Sequence, residues 1–255
     1  MELIDTHCHL YLHDFDLDRE AMIARGEEAG VRKFYLPSVD SSCFTGLLET
    51  EARYPGKCVA MCGLHPCSVK QSWQEELSFF RSWLERRKFV AIGEIGLDFY
   101  WDKSFEEQQY HVFREQIRWA LEFNIPIVIH SRESMKETIQ VVRESQNGNL
   151  RGIFHCFGDN LESAKAIIDL GFKLGIGGIL TYKKSTLPSI LKEIELEHLV
   201  LETDAPYLSP VPFRGKRNES AYLSYVANKL AEIKAIPVEE VARITTQNAL
   251  KLFGN

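Results

Sequence analysis

Met1-Glu-Leu-Ile-Asp-Thr-His7-Cys-His9 opens the chain. Leu3 and Ile4 begin a short apolar run, and His7 and His9 follow at its C-terminal end. Alternate side chains of a strand share one face. Two imidazoles therefore project side by side from the end of a rigid element, where one cation can take both without bending the backbone. An isolated His-x-His is more often a pair of surface histidines. This one gains weight because the same placement recurs along the chain.

Eight short β-branched or apolar runs read as strands: Leu3–Thr6, Lys33–Pro37, Val59–Gly63, Val90–Glu94, Ile125–His130, Gly152–His155, Phe172–Ile176 and Leu199–Thr203. Amphipathic segments lie between them, near Asp18–Ala29, Thr45–Tyr54, Trp73–Arg87, Phe105–Phe123, Glu133–Glu144, Leu161–Leu170 and Leu187–Glu195. Two more follow, near Ala221–Ile233 and Val238–Leu252. Gly30, Asn124 and Gly171 stand where helices should stop. Asp159 or Asn160 can cap a helix start, and Pro237 can open the last helix. Strands alternating with helices imply parallel βαβ units. Eight such units in 255 residues fit one closed (β/α)₈ TIM barrel, an α/β fold spanning residues 1–255 as a single domain. An open doubly wound sheet competes, but no Gly-x-Gly-x-x-Gly follows the first strand.

Hydrophobic residues make up 45% and charged residues 26%, as expected of an ordinary globular protein. No apolar run approaches the ~20 residues of a membrane helix. The N-terminus shows no secretory pattern, so the expected location is cytoplasmic, with no membrane partner. Six cysteines (Cys8, Cys43, Cys58, Cys62, Cys67 and Cys156) lack the paired spacing of a structural zinc site and read as reduced, mostly buried thiols. A net charge of −6 argues against a protein that coats nucleic acid, though not against an enzyme that grips one or two phosphates.

The polar residues repeat the opening pattern. His7 and His9 end strand one, and His65 follows strand three in Gly-Leu-His-Pro. Glu94 ends strand four, His130 strand five and His155 strand six, while Glu202 and Asp204 end strand eight. In a barrel those ends form one small mouth. Imidazoles and carboxylates crowded there would repel or desolvate one another unless divalent cations removed the penalty. The set exceeds what one tetrahedral ion takes. It suits two ions with Glu94 between them: one on His7, His9, Glu94 and Asp204, the other on Glu94, His130 and His155.

Asp-Thr-His-Cys-His, Gly-Leu-His-Pro, Gly-Glu-Ile-Gly-Leu-Asp-Phe-Tyr, Ile-His-Ser-Arg, His-Cys-Phe and Leu-Glu-Thr-Asp-Ala-Pro-Tyr together resemble the TatD family of metal-dependent hydrolases. The resemblance runs from about Met1 to Phe253, and the closing Thr-Gln-Asn-Ala-Leu-Lys-Leu-Phe is similar to the family's last helix. It implies an amidohydrolase-type barrel with a dinuclear site. It also implies deoxyribonuclease activity supported by Mg²⁺ or related ions. The family's ligands fall on His7, His9, Glu94, His130, His155 and Asp204. Wider relatives bridge the ions with a carbamylated lysine; Glu94 stands there in this chain. Phe99 departs from the pattern, where tyrosine is common.

Cations so placed would lower the pKa of a water toward neutral. Asp204 is the expected general base. His65 and Arg132 are expected to hold the phosphate, while Asp98 and Glu202 orient ligands from behind. The plainer alternatives are a loop hydrogen bond for His65 and a salt bridge for Arg132; for Glu202, direct ligation is the competing role. His13, His111 and His198 read as surface or packing residues. Phe99, Tyr100 and Trp101 either stack on a nucleobase or pack a loop. Lys183-Lys184 and Arg214-Gly-Lys-Arg217 follow strands seven and eight and can steer a polyanion. The metal is open among Zn²⁺, Mn²⁺, Fe²⁺ and Mg²⁺. The leading expectation is a 3'-5' exonuclease-like phosphodiesterase acting on DNA ends or single strands. A hydrolase of an acyl substrate, such as an aminoacyl-tRNA deacylase, and a non-catalytic metal-dependent binding module are the competing readings.

Overall fold

The computed structural model describes residues 1–254. All eight expected strands form: β1 (Leu3–Asp5), β2 (Val31–Leu36), β3 (Cys58–Ala60), β4 (Ile92–Asp98), β5 (Ile127–Arg132), β6 (Gly152–Phe154), β7 (Lys173–Ile176) and β8 (Leu199–Leu201). Neighbours pair in parallel in chain order, β1 to β3 and β4 to β8. Two seams join these runs. The Cys62 N–H donates to Ala91 O at 3.2 Å, and the Gly93 N–H to Cys62 O at 3.3 Å. On the other side the Thr6 N–H donates to Leu201 O at 3.1 Å, the Asp204 N–H donates to His7 O at 2.9 Å, and Cys8 bridges to Ala205. The last strand meets the first, so the sheet is a TIM barrel and not an open doubly wound sheet.

The helices are α1 (Arg19–Glu28), α2 (Ser41–Arg53), α3 (Trp73–Arg86), α4 (Glu106–Phe123), α5 (Met135–Ser145), α6 (Leu161–Asp169), α7 (Leu187–Lys192), α8 (Leu223–Lys234) and α9 (Val238–Phe253). Several stop and start where the residues dictate. Asn124 takes the left-handed conformation (φ 52°) that ends α4. The Asn160 side chain accepts the Ser163 N–H and caps α6. Asp40 caps α2 through the Ser42 N–H, so that helix starts four residues before the expected Thr45. Helix α7 stops short of the expected Glu195 because Ile194 and Leu196 turn into the core.

The core has two layers. Ile4, Tyr35, Met61, Ala91, Val128, Ile153 and Val200 fill the barrel, and α9 plugs its floor by stacking Phe253 on Tyr35. A larger apolar layer, including Phe44, Phe80, Phe113 and Phe172, lies between sheet and helices. Among the described residues, no helix is long and apolar enough to cross a membrane.

Asp5 closes the second seam. Its fully buried carboxylate accepts from the Thr203 hydroxyl (2.6 Å), the Ser220 hydroxyl (2.7 Å) and the Thr203 N–H (2.9 Å). Burial pushes the carboxyl up to about 6 even against these bonds. Asp5→Ala strands buried donors, at a cost of about 2–4 kcal/mol. Thermal unfolding should show a Tm lower by roughly 5–12 °C. An unchanged Tm would mean that the seam holds without Asp5.

Candidate metal centre

The site residues are delivered by β4, β5 and the loops after β1, β3, β6 and β8, and they gather around Glu94. Glu94 is not the last residue of its strand, as the sequence suggested. Strand β4 continues to Asp98 because Ile95 and Leu97 stay buried beside β5. Strand β5 likewise runs two residues past His130, to Arg132. The ladder register shifts between Gly93 and Ile95, leaving Glu94 as an extra residue turned into the mouth. The Glu94 N–H donates to Ser38 O at 3.1 Å, which fixes the carboxylate's root.

Five imidazoles face that carboxylate. On Oε2 are His7 Nε2 at 3.1 Å and His9 Nε2 at 3.6 Å. On Oε1 are His130 Nδ1 at 2.9 Å, His65 Nε2 at 3.5 Å and His155 Nε2 at 3.6 Å. Asp204 Oδ1 lies 3.7 Å from His7 Nε2, 3.5 Å from His9 Nε2 and 4.0 Å from His155 Nε2. Asp204 holds a left-handed backbone (φ 57°) to reach there. Burial alone would raise Glu94, but His7, His65, His155 and the hydrogen bond from His130 hold it well below the carboxylate range. Asp204 is likewise lowered, because neighbouring imidazoles outweigh burial. Burial lowers His7 and His65. His155 is pushed up to about 10, because Glu202, Glu94 and Asp204 overcome its burial.

These residues fit divalent cations. Two ligand atoms about 2.1 Å from a shared ion sit roughly 3.0–3.4 Å apart. The His7, His9 and Glu94 nitrogens and oxygen are 3.1–3.6 Å from one another. The clusters His7/His9/Glu94, His7/His155/Asp204 and His65/Glu94/His130 each bring three donor atoms within 4.8 Å. Cys156 joins His155 and Glu202 in a further cluster. Burial pushes its thiol well above the ordinary range, which disfavours a thiolate ligand.

Hydrogen-bond partners set what each imidazole offers. The Tyr11 hydroxyl donates to Pro37 O at 2.7 Å, so at 3.1 Å it must accept from His9 Nδ1. His9 therefore presents an Nε2 lone pair inward. Asp98 Oδ2 lies 2.8 Å from His130 Nε2 and Glu94 Oε1 lies 2.9 Å from its Nδ1; Asp98 holds the outer proton, so release of the Nδ1 proton would leave a lone pair facing Glu94. Glu202 Oε1 lies 2.9 Å from His155 Nδ1, off the hydrogen-bonding direction, and accepts the Cys156 N–H at 2.6 Å. His65 is the reverse case. The Cys67 N–H donates to its Nδ1 at 3.0 Å, so in the neutral ring Nε2 bears the hydrogen. His65 thus presents a donor to the mouth, not a lone pair.

The other residues singled out by the sequence lie on the rim or outside it. Arg132 is exposed and lies 3.8 Å from the Tyr100 ring, with no carboxylate partner among the described residues, so the salt-bridge alternative finds no support. Arg217 is committed elsewhere, to Asp18 at 2.7 Å and to Asp14 O, because the loop folds back on α1. His13 pairs with Asp16, His111 packs on Trp73, His198 lies beside Glu197, and Phe99 is buried against Tyr110. Three of the six cysteines, Cys8, Cys58 and Cys62, are buried, fewer than expected, because Cys43, Cys67 and Cys156 sit in loops or at a helix start. Tyr11, Ser38, Gln109 and Gln116 went unnoticed. Buried Gln109 and Gln116 lie seven apart on α4, bracketing Asp98 and Leu64 through paired amide bonds. Polar residues on the apolar stripe of an amphipathic helix were the available signal.

A barrel whose mouth gathers this donor set is built for metal-assisted hydrolysis. The family model "TatD related DNase" matches residues 4–254, and the chain belongs to that family. It is 39% identical over 252 residues to the uncharacterized metal-dependent hydrolase YabD of Bacillus subtilis (strain 168), covering 98% of each chain. It is 32% identical to the 3'-5' ssDNA/RNA exonuclease TatD of Pantoea ananatis (strain LMG 20103), covering 99% of each. Among solved structures, the TatD homologue YJJV of Escherichia coli K12 superposes with a TM-score of 0.93 at 32% identity, covering 99% of this chain and 98% of that one.

Removing divalent cations with a chelator should lower Tm by roughly 10 °C, since an ion at a thousand times its Kd adds about 4 kcal/mol. A Tm indifferent to chelation and reloading would count against resident cations. Asp98→Ala should weaken metal binding by about 10–100-fold, read by competition with a chelating dye. Unaltered affinity would remove Asp98 from its orienting role.

Proposed function

We propose that the protein hydrolyses phosphodiester bonds of DNA, at strand ends or in single strands, with two divalent cations per chain. His7, His9, Glu94 and Asp204 would hold one; Glu94, His130 and His155 the other, with Glu94 shared. Bound cations would supply a water of lowered pKa and neutralise charge growing on the phosphoryl oxygens. Asp204 is ionised at neutral pH and faces the imidazole pair, so it takes the proton of the attacking water and later passes it to the leaving oxygen. His65 Nε2–H donates to one non-bridging oxygen. Glu202 and Asp98 hold His155 and His130 in register.

One observation carries the choice of phosphodiester over an acyl bond. Two donors beside the cluster can turn to a substrate: the His65 Nε2–H, whose nearest acceptor is Glu94 Oε1 at a long 3.5 Å, and the Arg132 guanidinium, which has no carboxylate partner among the described residues. A phosphodiester brings two non-bridging oxygens, whereas an acyl carbon develops one oxyanion. An unpaired guanidinium fork also suits phosphate. The name of the Pantoea ananatis relative points the same way.

Asp204→Asn should cut kcat on single-stranded DNA by about 10²–10⁴-fold while metal analysis still finds bound ion. Near-normal turnover would remove Asp204 as the base. His65→Ala should lower kcat by roughly 10²-fold with metal content intact; lost metal would place His65 among the ligands instead. Both variants rest on the substrate assignment, which a parallel assay of metal-loaded protein on single-stranded DNA, simple esters and aminoacyl-tRNA decides. Faster turnover of an acyl substrate would defeat the phosphodiesterase reading.

A further inference from the structure

Most exposed large apolar side chains of the described residues stand on the rim around the cation cluster. Tyr100 and Trp101 follow β4, Tyr207 and Val211 follow β8, and Leu17 lies in the loop after β1. Exposed apolar surface concentrated at one mouth marks a binding surface. Cations accompany it. Arg132 lies 3.8 Å from the Tyr100 ring and 5.2 Å from that of Trp101. Across the mouth, Arg214 lies 3.7 Å from the Tyr182 ring, and Lys183 and Lys184 are exposed beside it.

The first of these groups is tied to the metal centre. One Asp98 oxygen accepts the Tyr100 and Trp101 N–H groups at 3.0 and 3.1 Å. The other holds His130 Nε2 at 2.8 Å. A single carboxylate thus registers the aromatic loop against a candidate ligand. Arg132 shares His130's face of β5, about 7 Å further along the strand. With its guanidinium carbon over the Tyr100 ring, Arg132 has no carboxylate partner among the described residues. Trp101 is 68% exposed, so its ring is available.

We infer that Trp101 and Arg132 form a nucleotide subsite. A base of single-stranded DNA stacks on the Trp101 indole, and the Arg132 guanidinium takes the phosphate of the same nucleotide. The inference rests on the phosphodiesterase reading and narrows its substrate to a polymer with an unpaired base beside the cut. A paired base keeps its faces in the duplex stack and cannot reach the indole.

The test measures binding, so that it stands apart from turnover. Mn²⁺-loaded protein carrying Asp204→Asn is titrated by fluorescence anisotropy against labelled oligothymidylate and an abasic oligomer of equal length. The base-bearing strand should bind about ten-fold more tightly. Adding Trp101→Ala should erase that preference, whereas Trp101→Phe should keep most of it. Arg132→Gln should weaken both oligomers alike. Equal affinities with Trp101 intact, failure to bind either strand, or a preference that survives Trp101→Ala would each overturn the subsite. A base preference in a protein whose wild type hydrolyses no phosphodiester would sink the phosphodiesterase reading and leave the subsite standing.

Discussion

The Glu94 carboxylate, held among five imidazoles, is the constraint on which the rest of the site depends. A buried carboxylate is costly unless positive charge compensates it. The protein gathers imidazoles around it from the loops after β1, β3 and β6 and from β5 itself, and the neighbouring carboxylates favour the charged form of His155. His130 and His155 come from the same five-stranded run as Glu94, but His7, His9 and His65 come from the other run and meet it only where the barrel closes. The two seams therefore serve the chemistry as well as the fold. Ser38 links β2 to the β4 backbone where Glu94 emerges, and Asp5 links β1 to the Thr203 that precedes Asp204.

The two carboxylate oxygens divide the imidazoles into groups. Oε2 faces the pair that follows β1, while Oε1 faces His130 of β5 and the histidines that follow β3 and β6. That division is what a carboxylate shared between two ions requires. Glycine makes part of it possible. A Cβ on Gly175 of β7 would collide with the Glu202 carboxylate, so β7 gives up a side chain to let Glu202 reach His155.

Strands and cluster were legible because both follow from local pattern. Apolar runs of four to six residues fix the strands, and polar residues just past them fall on one rim by topology alone. What stayed hidden depends on three-dimensional partners. Tyr11 orients His9 only because Pro37 O waits across the loop. Gln109 and Gln116 read as helix residues until the β4 and β3 loops are packed against them. Arg217 looked like a steering cation beside Arg214, but the fold spends it on Asp18. The start of α2 moved because the Asp40 cap overrode the apolar period.

The tautomers separate metal binding from substrate binding more sharply than proximity does. His65 and His130 both approach Glu94 Oε1, and distance alone would assign both to an ion. Their outer partners differ in kind. The Asp98 carboxylate behind His130 holds the outer proton, so the inner nitrogen facing Glu94 is the one that can give its proton up. A backbone N–H behind His65 fills the outer lone pair and drives the proton inward. A nitrogen that carries hydrogen cannot ligate a cation, so the neutral His65 ring offers the mouth a hydrogen-bond donor instead. Only proline at position 67 would remove this backbone donor, which makes the orientation a property of the turn itself.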